Sequence, residues 1–443
     1  MRNAGLCEHP EVNEVNEVNE VNEVKGVNEV KGVNEMNDRE FDVIVFGATG
    51  FTGRLVAEVM QARAAAHTGD LRWAMAGRNL DKLAQVRQQI AAPDSLPLLH
   101  ADAGDMPALQ ALVRRTRVVI TTVGPYQSYG EALVRACAEA GTDYVDLCGE
   151  PLWMAQMIER LQAPAAASGS RIVFSCGFDS IPFDLGVVFL QDAAQQRFGQ
   201  ALQRVQGRVR RMKGGFSGGT AASLLTTLEV TGRDAESARL MNDPFALTPG
   251  FRGPVQPEGD SAQYDGLAKS WTGPFIMAAI NTKNVHRSNA LRGHPWGRDF
   301  AYDERMMLGD GAAGRRRAWL LAASTRVQTA LLGFGPTRAL IGRLVLPQPG
   351  QGPSHAQREA GRFDLLFIGQ TVDGQTLRAS VRGDRDPGYG STSKMITEAA
   401  LCLAFDSPRD VTPGGVWTPG AAMGLALQRR LEAHAGLQFK LED

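Results

Sequence analysis

The chain has 443 residues, room for more than one domain, and a formal net charge of −1, so bulk electrostatics gives no reason to expect a nucleic-acid partner. Its five cysteines (Cys7, Cys137, Cys148, Cys176, Cys402) include no C-x-x-C pair, and its seven histidines form no H-x-H or H-E-x-x-H cluster. That argues against a disulfide scaffold and a metal site, and fits a reducing, cytoplasmic setting.

No apolar run reaches the length of a membrane span, and the acidic N-terminus is not a signal peptide. Glu11 to Glu35 repeats Val-Asn-Glu triplets with two Lys-Gly interruptions. A period of three fits neither helix nor strand, and the composition buries no core. Residues 1–37 therefore read as a disordered low-complexity tail, with Met36 a candidate physiological start.

Alternating strand and helix patterns begin at Asp38. Phe41 to Phe46 is a short apolar, β-branched run and reads as a buried strand. Gly47, Gly50 and Gly53 follow, and Arg54 to Gln61 has helical character. A strand, a glycine turn and a helix form a phosphate-binding element: the first glycine permits the turn, the second lets a pyrophosphate approach, and the third lets the helix pack close. Helix N-terminal N–H groups then face the phosphates. Gly47, Thr49, Gly50, Phe51, Thr52 and Gly53 are the expected cofactor contacts.

Leu71 to Ala76 is the second strand and Leu80 to Ile90 a helix. The end of this strand is where a dinucleotide fold reads the adenosine ribose. Arg78, with Lys82 one turn on, suits a 2′-phosphate and so NADPH rather than NADH. Leu96 to His100 is the third strand; Asp102 either contacts the adenine or caps a turn, and Asp105 caps the helix through Val113. Arg117 to Thr122 is the fourth strand. It leads to Gly124, Pro125 and Tyr126, a fixed turn at a strand carboxyl end, where such sheets bind ligands. Tyr126 and Tyr129 either stack, donate a proton or pack as wall.

Gly141 ends the helix Glu131 to Ala140. Asp143 to Leu147 and Arg171 to Ser175 are the fifth and sixth strands. Glu150 and Asp179 fall at their carboxyl ends and are substrate-contact candidates by position, with capping the rival reading for Asp179.

Beyond Gln196 the pattern changes. Val205 to Met212 reads as a strand, and Gly214 to Thr220 as either an anion-binding turn leading a helix or a flexible loop. Asn242 to Gln263 reads as irregular loop. Phe275 to Asn289 reads as sheet and site-facing loop, bringing Lys283, His286 and Arg287 together. His286 is either a proton carrier or structural; Lys283 and Arg287 are substrate candidates. Arg315 to Leu346 carries six arginines and no acid among many apolar residues, broken by Pro336. It is a peripheral membrane contact, the lining of an apolar substrate channel, or a core-packed helix pair with a solvated basic edge. Gln348 to His355 reads as mobile. Arg362 to Ile368 and Thr376 to Val381 read as a hairpin. A helix to Phe405 packs back on the first domain, and a last helix runs through Ala433.

These residues give the chain a resemblance to the saccharopine dehydrogenase-like oxidoreductases. Within them it is similar to the trans-acting enoyl reductases of mycobacterial glycolipid assembly. The matching pieces are Gly47 to Gly53, Ala76 to Arg78, Gly124 to Tyr126, Tyr144 to Glu150, Ser175 to Pro182, Asn284 to Ala290 and Gly414 to Pro419. The resemblance implies a Rossmann-type doubly wound parallel sheet, a second α+β substrate domain and C-terminal helices returning to the first domain. The implied layout is residues 38–196 for NAD(P), 197–390 for substrate and dimerisation, and 391–443 for the returning helices. It also implies NADPH-dependent hydride chemistry on a small-molecule or carrier-bound acyl substrate but names no catalytic acid; Tyr126 and His286 are the proton-donor candidates from the residues themselves, and a homodimer is among the options. Reduction of a C=N bond, and a lipid-surface protein that binds NADPH without turnover, are the rival functions.

Overall fold

The computed structural model describes residues 39–66, 69–214, 234–344 and 352–442. The triplet repeat, Gly215 to Val230 and 345–351 lie outside them. Two seven-stranded sheets organise the chain from Phe41 onward.

The first sheet uses β1 (Phe41–Phe46), β2 (Trp73–Gly77), β3 (Leu98–His100), β4 (Thr116–Thr121), β5 (Asp143–Val145), β6 (Arg171–Val173) and β13 (Gly415–Trp417), in the order β13-β6-β5-β4-β1-β2-β3. Every pairing in it is parallel. All six residues of β1 are buried, as a strand covered on both faces requires. The crossover helices are α1 (Phe51–Ala66), α2 (Leu80–Gln89), α3 (Met106–Val113), α4 (Glu131–Ala140) and α5 (Pro151–Ser168). Gly141 stands in the left-handed region at φ +68°, as the end of α4 demands. The sequence pattern predicts six strands; β13 is a seventh, added from far along the chain.

The second sheet is mixed, in the order β14-β12-β11-β7-β10-β9-β8. Its strands are β7 (Arg204–Lys213), β8 (Gln263–Asp265), β9 (Ser270–Gly273), β10 (Ala301–Met307), β11 (Arg362–Gln370), β12 (Thr376–Gly383) and β14 (Leu437–Glu442). The expected hairpin is β11–β12, with Gly374 at φ +88° in its turn. Helix α6 (Ile181–Phe198) follows β6 and lies against β11, so close that a Cβ on Gly186 would meet the Phe367 ring at 2.5 Å.

Helix α7 (Ala278–Leu291) packs on α6 and β10. This corrects the expected sheet and site-facing loop. Asn, Thr, Ser and His have modest helix propensity, but here burial outweighs it. Asn281 reaches Glu304, Asn284 reaches Ser180 and Ser288 reaches Asp184, all in the interior. The arginine-rich stretch forms α8 (Gly311–Gly333) and α9 (Gly335–Leu344), which part at Phe334. Helix α10 (Thr392–Phe405) returns to pack on α1, β1, β4 and β5. The last helix, α11 (Gly424–His434), leads into β14, which pairs with β12 of the second sheet. The C-terminal residues therefore join both sheets.

Candidate active site

Parallel register sets the site. Phe46 pairs with Ala76 and Thr121, Ile120 with Val145, and Val145 with Val173. Gly47, Arg78, Thr122, Asp146 and Phe174 therefore leave the sheet at one edge, its carboxyl end. Gly47 adopts φ +84°, and a Cβ there would lie 2.4 Å from Val123. A Cβ on Gly53 would lie 2.1 Å from the Gly47 carbonyl oxygen. The start of α1 is thus packed directly on the turn, and only glycine fits. Thr49 and Gly50 are exposed on this turn, while Phe51 and Thr52 are half-buried. The Phe51 ring sits edge-on to Tyr389 at 5.3 Å.

Arg78 and Lys82 are both exposed beyond β2. Asn79 caps α2 by accepting the Lys82 backbone N–H at 2.8 Å. Asp102 accepts the Gly104 N–H at 2.8 Å, which is the turn-capping alternative. An open glycine turn, the N-terminus of α1 and an exposed arginine after β2 fit a dinucleotide phosphate chain.

The other half of the edge is a braced turn. Gly124 is exposed and Pro125 half-buried. Tyr126 is buried, its hydroxyl accepting the Leu147 N–H at 3.0 Å and donating to the Thr121 carbonyl at 3.3 Å. Burial, with Asp146 next, pushes its phenol well above the ordinary value. Glu150, also buried, accepts the N–H groups of Tyr126 at 3.0 Å and Gln127 at 2.9 Å. Asp146 accepts from Cys148 N–H, Ser175 N–H and the Tyr144 hydroxyl, and burial raises its carboxyl to about 7.

Beyond β6, Asp179 is partly exposed and its carboxyl is pushed up by burial to about 7. It is not a helix cap; Ser180 holds that position before α6. Glu304 on β10 accepts from Asn281 at 2.9 Å and from the Tyr302 hydroxyl at 2.9 Å. Burial raises its carboxyl to about 8, and the Asp179 charge adds to that shift. Among the described residues, the buried oxygens Asn281 Oδ1 and Asn284 Oδ1 meet no donor.

The three α7 residues singled out from the sequence, Lys283, His286 and Arg287, are buried. Lys283 donates to the Met241 carbonyl at 2.8 Å, and burial lowers its ammonium to about 8. Arg287 donates to the carbonyls of Leu247 at 2.5 Å and Val416 at 2.6 Å, joining α7 to β13. His286 packs between Phe245 and Phe300. Burial, with the Lys283 charge second, lowers its imidazolium to about 3. At neutral pH it is uncharged, with no second proton to give.

Residues 43–173 match the family described as the saccharopine dehydrogenase NADP binding domain. A Mycobacterium tuberculosis protein described as a candidate trans-acting enoyl reductase is 42% identical over 417 residues, spanning 91% of this chain and 97% of the relative. The chain belongs to the saccharopine dehydrogenase-like trans-acting enoyl reductase family. A trans-acting enoyl reductase of Mycobacterium bovis is 38% identical, spanning 89% of this chain and 96% of that one. Among solved structures, saccharopine dehydrogenase (L-Glu forming) of Saccharomyces cerevisiae is similar at 12% identity and TM-score 0.48, covering 91% of this chain and all of that one.

In this family member, sequence reasoning passes over Asp146, Asp184 and Glu304. Asp146 lies inside the matching Tyr144 to Glu150 piece, where an acid two residues before Cys148 is a usable signal. Asp184 accepts from Ser288 and from the Gly420 N–H. Glu304 carries no local signal: it enters the site from the second sheet.

Proposed function

We propose that this chain is an NADPH-dependent reductase that saturates the activated double bond of an enoyl thioester in lipid or polyketide metabolism. One observation carries the reading: a tight glycine turn, Gly53 packed on Gly47, at the carboxyl end of the parallel sheet in a chain 42% identical to an enoyl-reductase relative across 97% of its length. Bound NADPH supplies the hydride. Gly47, Gly50 and Gly53 bring backbone to the pyrophosphate at the start of α1. Arg78, with Lys82, takes the 2′-phosphate through its planar fork of donors. The Gly124 to Tyr126 turn, held by Glu150, walls the nicotinamide end.

Hydride addition to an enoyl thioester leaves an enolate that needs a proton. Tyr126 has its hydroxyl engaged between Thr121 and Leu147, and His286 is neutral. We assign the proton to Asp179, which stands partly exposed just beyond β6 at the carboxyl end of the sheet; burial raises its carboxyl to about 7, so about half of it is protonated near neutral pH. Glu304, raised to about 8 but with both oxygens held by Asn281 and Tyr302, interacts with it electrostatically. C=N reduction of the saccharopine type is disfavoured, because Lys283 and Arg287 give their N–H groups to backbone carbonyls and are buried.

The test is anaerobic NADPH oxidation against enoyl thioesters of rising chain length and against 2-oxo acids paired with amino acids. Turnover on the thioesters is expected, with Asp179→Asn losing about 10²–10⁴ in kcat while still binding NADPH. Turnover on the second panel alone overturns the enoyl reading.

A further inference from the structure

Helix α8 is attached to the protein along a narrow stripe. Its buried residues are Gly314, Ala318 and Ala322, spaced by four, and they define an inward face against β9. At about 100° per residue, Leu320, Ala323, Val327, Ala330 and Leu331 lie on the opposite side, and Phe334 extends their line. These are large apolar groups in the open: Leu320 is 64% exposed, Phe334 63%, Val327 58%, Trp319 56% and Leu331 43%. From Leu320 to Phe334 the stripe runs about 21 Å at helical rise. A soluble surface does not ordinarily present so continuous an apolar row.

The charges beside it have one sign. Arg315, Arg316 and Arg317 are exposed before the stripe, and Arg326 is exposed at its flank. No Asp or Glu occurs between Asp310 and Glu359. An apolar face bordered by arginines, with no acid on α8 or α9 themselves, matches a surface that is apolar below and anionic above. A second copy does not supply that. A two-fold contact between α8 helices sets the same patch against itself, so arginines meet arginines with no acid on the facing helices to neutralise them. Among the described residues no helix is long and apolar enough to cross a membrane, so a bilayer contact by α8 would be peripheral.

We propose that the outward face of α8 docks on an anionic lipid surface, with Leu320, Val327, Leu331 and Phe334 in the headgroup–acyl boundary and the arginines at the phosphates. The proposal rests on the exposed stripe and not on the reductase reading. If that reading holds, docking brings the crevice to acyl chains held at a membrane.

Vesicle co-sedimentation of the full chain tests it, using phosphatidylcholine vesicles with and without phosphatidylglycerol. The wild type is expected to bind the anionic vesicles, to leave the neutral ones largely free, and to be released as salt rises. Leu320→Ser/Val327→Ser/Phe334→Ser and Arg316→Glu/Arg326→Glu should each lose at least about tenfold in partitioning. Arg429→Glu, an exposed arginine on α11, should bind as wild type. Melting temperature and NADPH binding should be unchanged in all three, because every altered side chain is exposed. Absence of vesicle binding, equal binding to both compositions, or unaltered binding of the stripe variant overturns the proposal. So does a dimer in sedimentation velocity that the stripe variant loses, which would make the face a contact between copies. NADPH oxidation with soluble short-chain acceptors reads the reductase hypothesis separately.

Discussion

Replacing Glu150 with Gln separates a brace from a substrate contact. The carboxylate lies in the interior, and its two oxygens accept the N–H groups of Tyr126 at 3.0 Å and Gln127 at 2.9 Å. Gln retains one acceptor oxygen and sets an NH₂ group against the other N–H. One charge-assisted hydrogen bond is lost and a buried donor is left unpaired, at a cost of about 1.5–3 kcal/mol. Because the two N–H groups open the helical turn Tyr126–Tyr129, the Gly124 to Tyr126 wall loosens as well. Urea denaturation should show that loss of stability at unchanged m-value, and a fluorescence titration should show weaker NADPH binding. A Glu150→Gln protein as stable as wild type, with NADPH affinity intact and turnover gone, would refute the brace and return Glu150 to the substrate.

Arg78→Ala should weaken NADPH by about 1.5–3 kcal/mol and leave NADH and the melting temperature unchanged, since the side chain is exposed; equal loss for both cofactors counts against its role. Glu304 has a carboxyl raised from 4.5 to about 8, so the folded state keeps a proton that the unfolded chain releases across that window. This contribution is absent below about 4.5 and lowers stability progressively as pH rises to about 8. Glu304→Gln should flatten that slope in denaturation measured across the window, and an unchanged slope would sink the assignment. Gly53→Ala should cost about 1–3 kcal/mol by overpacking and impair NADPH binding, because its Cβ meets the Gly47 backbone at 2.1 Å. Gly50→Ala, whose nearest neighbour is at 3.4 Å, should fold normally, so any loss there reports on the cofactor alone. Wild-type NADPH affinity in Gly53→Ala would contradict the close-packed turn.

The Rossmann half of the fold was legible because its signals are local. Phe41 to Phe46 is a continuous apolar run, the glycines follow at once, and Arg78 comes immediately after the next strand. The other half was legible only in part. Tyr126 and Glu150 could be placed at strand ends, but nothing local says that one holds the other's turn. The stretch around His286 misled because its polar residues resemble a loop, and their partners lie elsewhere in the chain. Asn284 meets Ser180 across 104 residues, and Arg287 meets Val416 across 129.

The amino-acid order alone determined the parallel α/β sheet, the phosphate turn and the preference for NADPH, because each depends on residues within a few positions of one another. Tertiary structure decided which polar groups are buried, and therefore which carboxyls hold protons. Desolvation acts on a side chain through everything packed around it. For Asp179 and Glu304 those surroundings come from two sheets and a helix that the chain brings together only on folding.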